Sequence, residues 1–170
     1  MLNYDGHIIH IDPVSDYADY TQMPKADIIL ITHEHGDHLD LKAIQNIKKD
    51  GTKIISNKGA YKTIQEGETM SNGNKKQVTP SLFIEAVPAS NITPGREQYH
   101  PKHRDNGYVL ELDHMRIYVA GDTENIEEMR ALKNIDIAFL PVNQPYTMTP
   151  EQAALAARMF NPTILYPYHY

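Results

Sequence analysis

Ile28-Ile29-Leu30-Ile31 runs without interruption into Thr32-His33-Glu34-His35-Gly36-Asp37-His38. A short, fully apolar, β-branched run reads as a strand buried on both faces, as the strands of a largely parallel sheet are. Neighbouring parallel strands need crossover helices, so this stretch commits the chain to a layered α/β architecture. It also puts three histidines and an aspartate at a strand's carboxyl end, the edge where ligand sites of such sheets gather.

The remaining pattern fits strands alternating with helices. Asp40 caps a helix whose apolar face is Leu41, Ile44 and Ile47, with Lys48 and Lys49 in its last turn and Gly51 after it. Further strands are expected at residues 6–11, 53–56, 82–87, 108–112, 116–120, 135–140 and 163–166, the fourth and fifth joined as a hairpin through Asp113-His114-Met115. Short helices are expected at 60–65 and 126–132, and a loop at 67–76. Thr149-Pro150-Glu151-Gln152 starts a helix that Asn161-Pro162 ends. Ala26-Asp27-Ile28 and Ile135-Asp136-Ile137 echo one another, each opening an apolar strand.

At 170 residues with 41% hydrophobic and 22% charged content, the chain is expected to form a single domain over residues 1–170. A net charge of -6 lacks the basic footprint of a nucleic-acid binder. Without cysteine there is neither a disulfide framework nor a thiolate metal site. No apolar stretch reaches spanning length and residues 1–20 do not resemble a signal peptide, so the expectation is a cytoplasmic protein that does not engage membranes.

The histidine run is the most specific constellation. His33 and His35 lie two apart, so in extended backbone they point the same way, and Gly36 allows a sharp turn before Asp37 and His38. Four ligands in six residues can divide between two neighbouring metal ions. Imidazole suits zinc or iron, and a carboxylate tolerates manganese. Asp122, in Ala120-Gly121-Asp122-Thr123, and His169 each follow the end of another expected strand, and so offer ligands to the same rim. A turn or cap role is the plain alternative for Asp122 alone.

These motifs, with Ile11-Asp12-Pro13, Asn106-Gly107-Tyr108-Val109, Tyr146-Thr147-Met148-Thr149-Pro150 and Pro167-Tyr168-His169-Tyr170, resemble the metallo-β-lactamase superfamily over essentially the whole chain. Within it they look like the small metal-dependent hydrolases related to L-ascorbate-6-phosphate lactonase. The resemblance implies a four-layer αββα sandwich, here apparently trimmed at both ends, and two divalent metal ions, zinc first and manganese or iron as alternatives. His33 and His35 would hold one ion, Asp37, His38 and His169 the other, and Asp122 would bridge them, with Asp12 as a structural carboxylate behind the ligands. The superfamily's third histidine for the first ion is replaced by Asn91; His100 or His103 from the next loop are the candidates to stand in, and His100 is otherwise a substrate-facing acid or hydrogen-bond donor.

The implied chemistry is hydrolysis of an ester, lactone or phosphoester by a metal-bridged hydroxide that Asp37 orients, so Asp37 and His100 are the candidate catalytic residues. The expected partner is a small-molecule substrate, an anionic one if Arg96, Lys102 and Arg104 hold a phosphate rather than lie in a solvated loop. A nuclease or a metal-binding module without turnover are the rival readings, and the trimmed ends would leave an edge for a homo-oligomer. His7, His10 and His114 are expected to be exposed strand or turn residues.

Overall fold

The apolar run forms β3 (Ile28–Ile31), with all four side chains buried, in a computed structural model that describes residues 1–170. The fold is mixed α/β with two sheets and few helices, as the metallo-β-lactamase resemblance implies. The chain divides into two compact units, Met1–Met70 and Ser71–Tyr170, each with its own sheet. No helix is long and apolar enough to cross a membrane.

The first unit is a five-stranded sheet in the order β1-β2-β3-β4-β5. β1 (Leu2–Tyr4) and β2 (His7–Ile11) form an antiparallel hairpin, and β3, β4 (Lys53–Ser56) and β5 (Glu68–Thr69) follow in parallel. The crossover from β3 to β4 carries α1 (Leu41–Ile47), capped by the Asp40 side chain on Lys42 N–H as the sequence predicts. Ile44 and Ile47 of α1 pack with Ile29, Ile31 and Ile54 and with Ala60 of α2 (Lys58–Ile64). This helix stops at Ile47, so Lys48 and Lys49 lie beyond its last turn. Burying five isoleucines and two alanines there removes the surface that the βαβ unit alone would expose.

The second unit is a six-stranded sheet in the order β11-β10-β9-β8-β7-β6. β6 (Lys75–Thr79), β7 (Leu82–Ala89), β8 (Asp105–Leu112) and β9 (Met115–Val119) make an antiparallel meander. β10 (Ile137–Pro141) and β11 (Ile164–Tyr168) then add in parallel. α3 (Pro150–Phe160) begins with the predicted capping box on Thr149 and Gln152. Its Ala153, Ala156 and Phe160 pack with Met129, Tyr118, Ala138 and Leu140.

Three strands were not anticipated, and one of them, β5, is a two-residue exposed edge strand inside the stretch expected to be a loop at 67–76. β1 and β6 are edge strands rich in polar residues, where exposure removes the alternation that a sequence pattern relies on. The helix expected at 126–132 is a 3-10 turn, Glu127–Ala131. The paired aspartates play matching roles: Asp27 accepts the Ile8 N–H at 2.8 Å and Asp136 accepts the Arg116 N–H at 2.7 Å. Each thus pins the start of the neighbouring strand.

Gly107 on β8 stands opposite Ala120, and a Cβ there would lie 2.7 Å from the Ala120 carbonyl oxygen. Backbone has to move to admit it. Gly107→Ala is therefore expected to cost about 1–3 kcal/mol and lower the melting temperature by roughly 2–10 °C, measured by thermal unfolding; an unchanged melting temperature would show that the strands yield without cost.

Candidate metal centre

β2 and β3 are parallel, with Ile11 paired to Leu30, so the residues after each strand emerge side by side. Asp12 takes up a left-handed backbone angle, φ 46°. Its carboxylate accepts Thr32 N–H at 2.8 Å, Thr32 Oγ1–H at 2.6 Å and His38 Nδ1–H at 2.8 Å. Thr32 Oγ1, having donated to Asp12, accepts from His33 Nδ1 at 2.9 Å. One carboxylate thereby sets the proton on Nδ1 of both His33 and His38, so that Nε2 is the deprotonated nitrogen of each ring. Metal-binding histidines are held in this way, the far nitrogen donating to an oxygen.

His33 Nε2 and His35 Nδ1 approach to 3.1 Å. Two imidazole nitrogens on one tetrahedral zinc, at bonds near 2.0–2.1 Å, stand about 3.3 Å apart. The pair thus fits a shared cation. Asp37 Oδ2 lies 3.8 Å from His38 Nε2, on the exposed side of the run. Glu34, between the two histidines, accepts from Asn57 Nδ2 at 3.1 Å, and Gly59 is packed so closely that a Cβ would collide with the Glu34 carboxylate. Glu34 thus fastens the turn to the start of α2.

In the second unit β7, β9, β10 and β11 all point the same way, so Asn91, Asp122, Asn143 and His169 leave one edge of the sheet. Gly121, at φ 64°, turns the chain after β9, and its carbonyl accepts the Tyr168 hydroxyl at 3.1 Å. Asp122, only 3% exposed, stands 3.4 Å from His100 Nε2 and 4.0 Å from His169 Nε2. A buried carboxylate between two imidazoles has the composition of a cation site. His169 is held through Nδ1 by the Asn143 amide at 3.1 Å.

Asn91 is the residue that sequence reasoning places in a missing histidine's position. Its Nδ2 donates to Tyr146 O at 2.8 Å, which turns its oxygen towards His100 Nδ1 at 3.2 Å. His100 Nδ1 accordingly carries the proton, and its Nε2 lone pair faces Asp122. The structure thus brings buried His100 to Asp122, while His103 stays on an exposed turn. Neither Thr32 nor Asn91 carries a sequence signal for its orienting role. Asp12 is legible only through the family resemblance.

The loop arginines are engaged internally. Arg96 Nη1 donates to Gln144 Oε1 at 2.8 Å and lies 3.6 Å from fully buried Glu124. Burial works to raise the Glu124 carboxyl's pKa, but Thr93, the Ile92 and Thr93 amides and Arg96 together hold it below the usual range. Arg104 forks onto buried Asp105 at 2.7 and 2.8 Å and donates to Tyr99 O. His10, expected on the surface, is 2% exposed and bonded to Pro24 O, and burial lowers its pKa. Nothing in the alternation of residues 7–11 distinguishes that from an exposed position.

A model of the β-lactamase superfamily domain matches residues 1–169. The UPF0173 metal-dependent hydrolase of Enterococcus faecalis is 34% identical, over 98% of this chain and 79% of its own length. That of Thermococcus kodakarensis is 32% identical, over 86% and 67% respectively. A crystal structure from Parabacteroides distasonis, assigned to the metal-dependent hydrolases, is 65% identical, with a TM-score of 0.98 over 100% of this chain and 77% of that one. Igni18, a metallo hydrolase from Ignicoccus hospitalis, is 28% identical with a TM-score of 0.78, over 99% and 77%. The family model and these identities extend the resemblance read in the histidine run to the whole chain, which belongs to the β-lactamase superfamily and, within it, to the UPF0173 metal-dependent hydrolases.

Proposed function

We propose that this metal-dependent hydrolase cleaves an ester, lactone or phosphoester of a small molecule, using two divalent ions of which zinc is the expected kind. The residues that would hold them are His33, His35, Asp37 and His38 of the first unit and His100, Asp122 and His169 of the second. The observation that carries this reading is the orientation of the imidazoles. Nδ1 of His33, His38 and His100 each faces an oxygen acceptor, which leaves Nε2 deprotonated, as a metal ligand has to be.

When bound, the ions supply an acidified water near neutral pH and a Lewis acid for the attacked group. The chain's own residues do the positioning. Asp37, about half exposed, accepts a hydrogen bond from the attacking water and aligns it. Asp12 and Thr32 keep His38 and His33 from rotating, and Asn91 does so for His100. No nucleophilic side chain is required, which suits a chain without cysteine.

Elemental analysis of the purified chain beside His35→Ala tests this. About two metal ions per chain, falling by about one in the variant with the fold retained by circular dichroism, is the expected result. One ion or none in the folded parent chain would remove the two-metal reading.

A further inference from the structure

We propose that Ile92, Tyr99 and Tyr146 form an uncharged shelf on the second unit that takes the apolar ring of a neutral ester substrate, a reading that rests on the hydrolase function proposed above. Ile92 and Tyr146 are 45% and 46% exposed, each directly beside a fully buried polar residue, Asn91 and Thr147. The Tyr99 and Tyr146 rings meet edge to face, with centroids 5.0 Å apart and planes at 73°. That geometry holds both rings in place and leaves a ring face available for a third.

The shelf is tied to the chemistry by short connections. Tyr146 O accepts from Asn91 Nδ2, and Asn91 Oδ1 faces His100 Nδ1. Tyr99 directly precedes His100 and Ile92 directly follows Asn91. A ring resting on this surface is therefore fixed relative to the imidazole that faces Asp122.

Charge decides the class of substrate. The two guanidiniums beside the shelf are matched by buried carboxylates, Arg96 by Glu124 and Arg104 by Asp105. Drawing either onto a substrate phosphate would take the paired cation away from a buried carboxylate, which is the costly half of a broken buried pair. Lys102, on the exposed loop, is the remaining cation nearby and the one through which an anion would bind. The surface next to His100 is thus apolar and close to neutral.

The test compares benzyl acetate, methyl acetate and the anionic monomethyl succinate on the metal-loaded protein, its Tyr146→Ala, Tyr146→Phe and Lys102→Ala variants. Benzyl acetate is expected to have the lowest KM. Tyr146→Ala should raise that KM about 3- to 10-fold more than the methyl ester's, and Tyr146→Phe should restore it. An equal change for both neutral esters would reduce Tyr146 to a structural role and overturn the shelf. A lowest KM for the monoanion, raised by Lys102→Ala, would also overturn it. If no ester is cleaved, the hydrolase reading fails first, and saturation-transfer NMR with benzyl alcohol decides the shelf. Transfer that is lost in Tyr146→Ala supports it, and no transfer to the parent protein removes it.

Discussion

Asp122→Ala is expected to lower kcat/KM by about a thousandfold or more, on the order of 4 kcal/mol of transition-state stabilisation. Asp122 is the buried carboxylate that faces both His100 and His169, so its loss would remove the anionic charge that the proposed metal ions need on that edge. The backbone that carries it is set by Gly121 and by the Tyr168 hydroxyl on the Gly121 carbonyl, neither of which the substitution touches. Circular dichroism should therefore be unchanged while activity and metal content fall together. Asp122→Asn keeps the shape but replaces a carboxylate with a weak amide ligand, and should fall nearly as far. Activity within tenfold of the parent protein in either variant would mean that Asp122 is a buried turn residue and not a ligand.

Asp12→Ala is expected to act on stability and metal binding at once. The carboxylate is the acceptor for Thr32 N–H, Thr32 Oγ1–H and His38 Nδ1–H. Removing it strands donors in a buried setting, at about 1–3 kcal/mol each before any relaxation. Alanine at φ 46° adds backbone strain of about 1 kcal/mol. A loss of roughly 2–4 kcal/mol overall is expected, lowering the melting temperature by about 5–15 °C. Metal affinity should fall about 10- to 100-fold, because His38 and, through Thr32, His33 lose the contact that fixes their rings. Differential scanning calorimetry and competition with a chelator measure the two effects separately. A variant that loses stability yet binds metal as tightly as before would break the proposed link between Asp12 and the ligands.

The strands and helices legible in the sequence are those with an unbroken apolar run or an apolar period, or whose ends carry capping chemistry. β3 declared itself through four consecutive buried apolar residues, and α3 through its capping box. β1 and β6 did not, because an edge strand half in water has no apolar period to read. His10 misled for the opposite reason. Its burial comes from a hydrogen bond to Pro24 and a ring contact with Tyr20, partners 14 and 10 residues away in a segment without regular structure.

The candidate site divides along the same line. Sequence alone determined that His33, His35, Asp37 and His38 would leave the end of a buried strand, and that Asp122 and His169 would leave the ends of two others. Local patterns suffice for that, since a strand's direction and its last residue are written in a few consecutive positions. Only the tertiary structure decided which nitrogen of each histidine is held, that Asn91 serves His100, and that Arg96 and Arg104 answer to buried carboxylates. Those choices rest on hydrogen-bond acceptors that reach a side chain across the fold, as Asp12 reaches His38 from 26 residues away. Burial then enforces them: a polar atom removed from water has to find its partner wherever the packing brings one, and sequence separation places no limit on where that is.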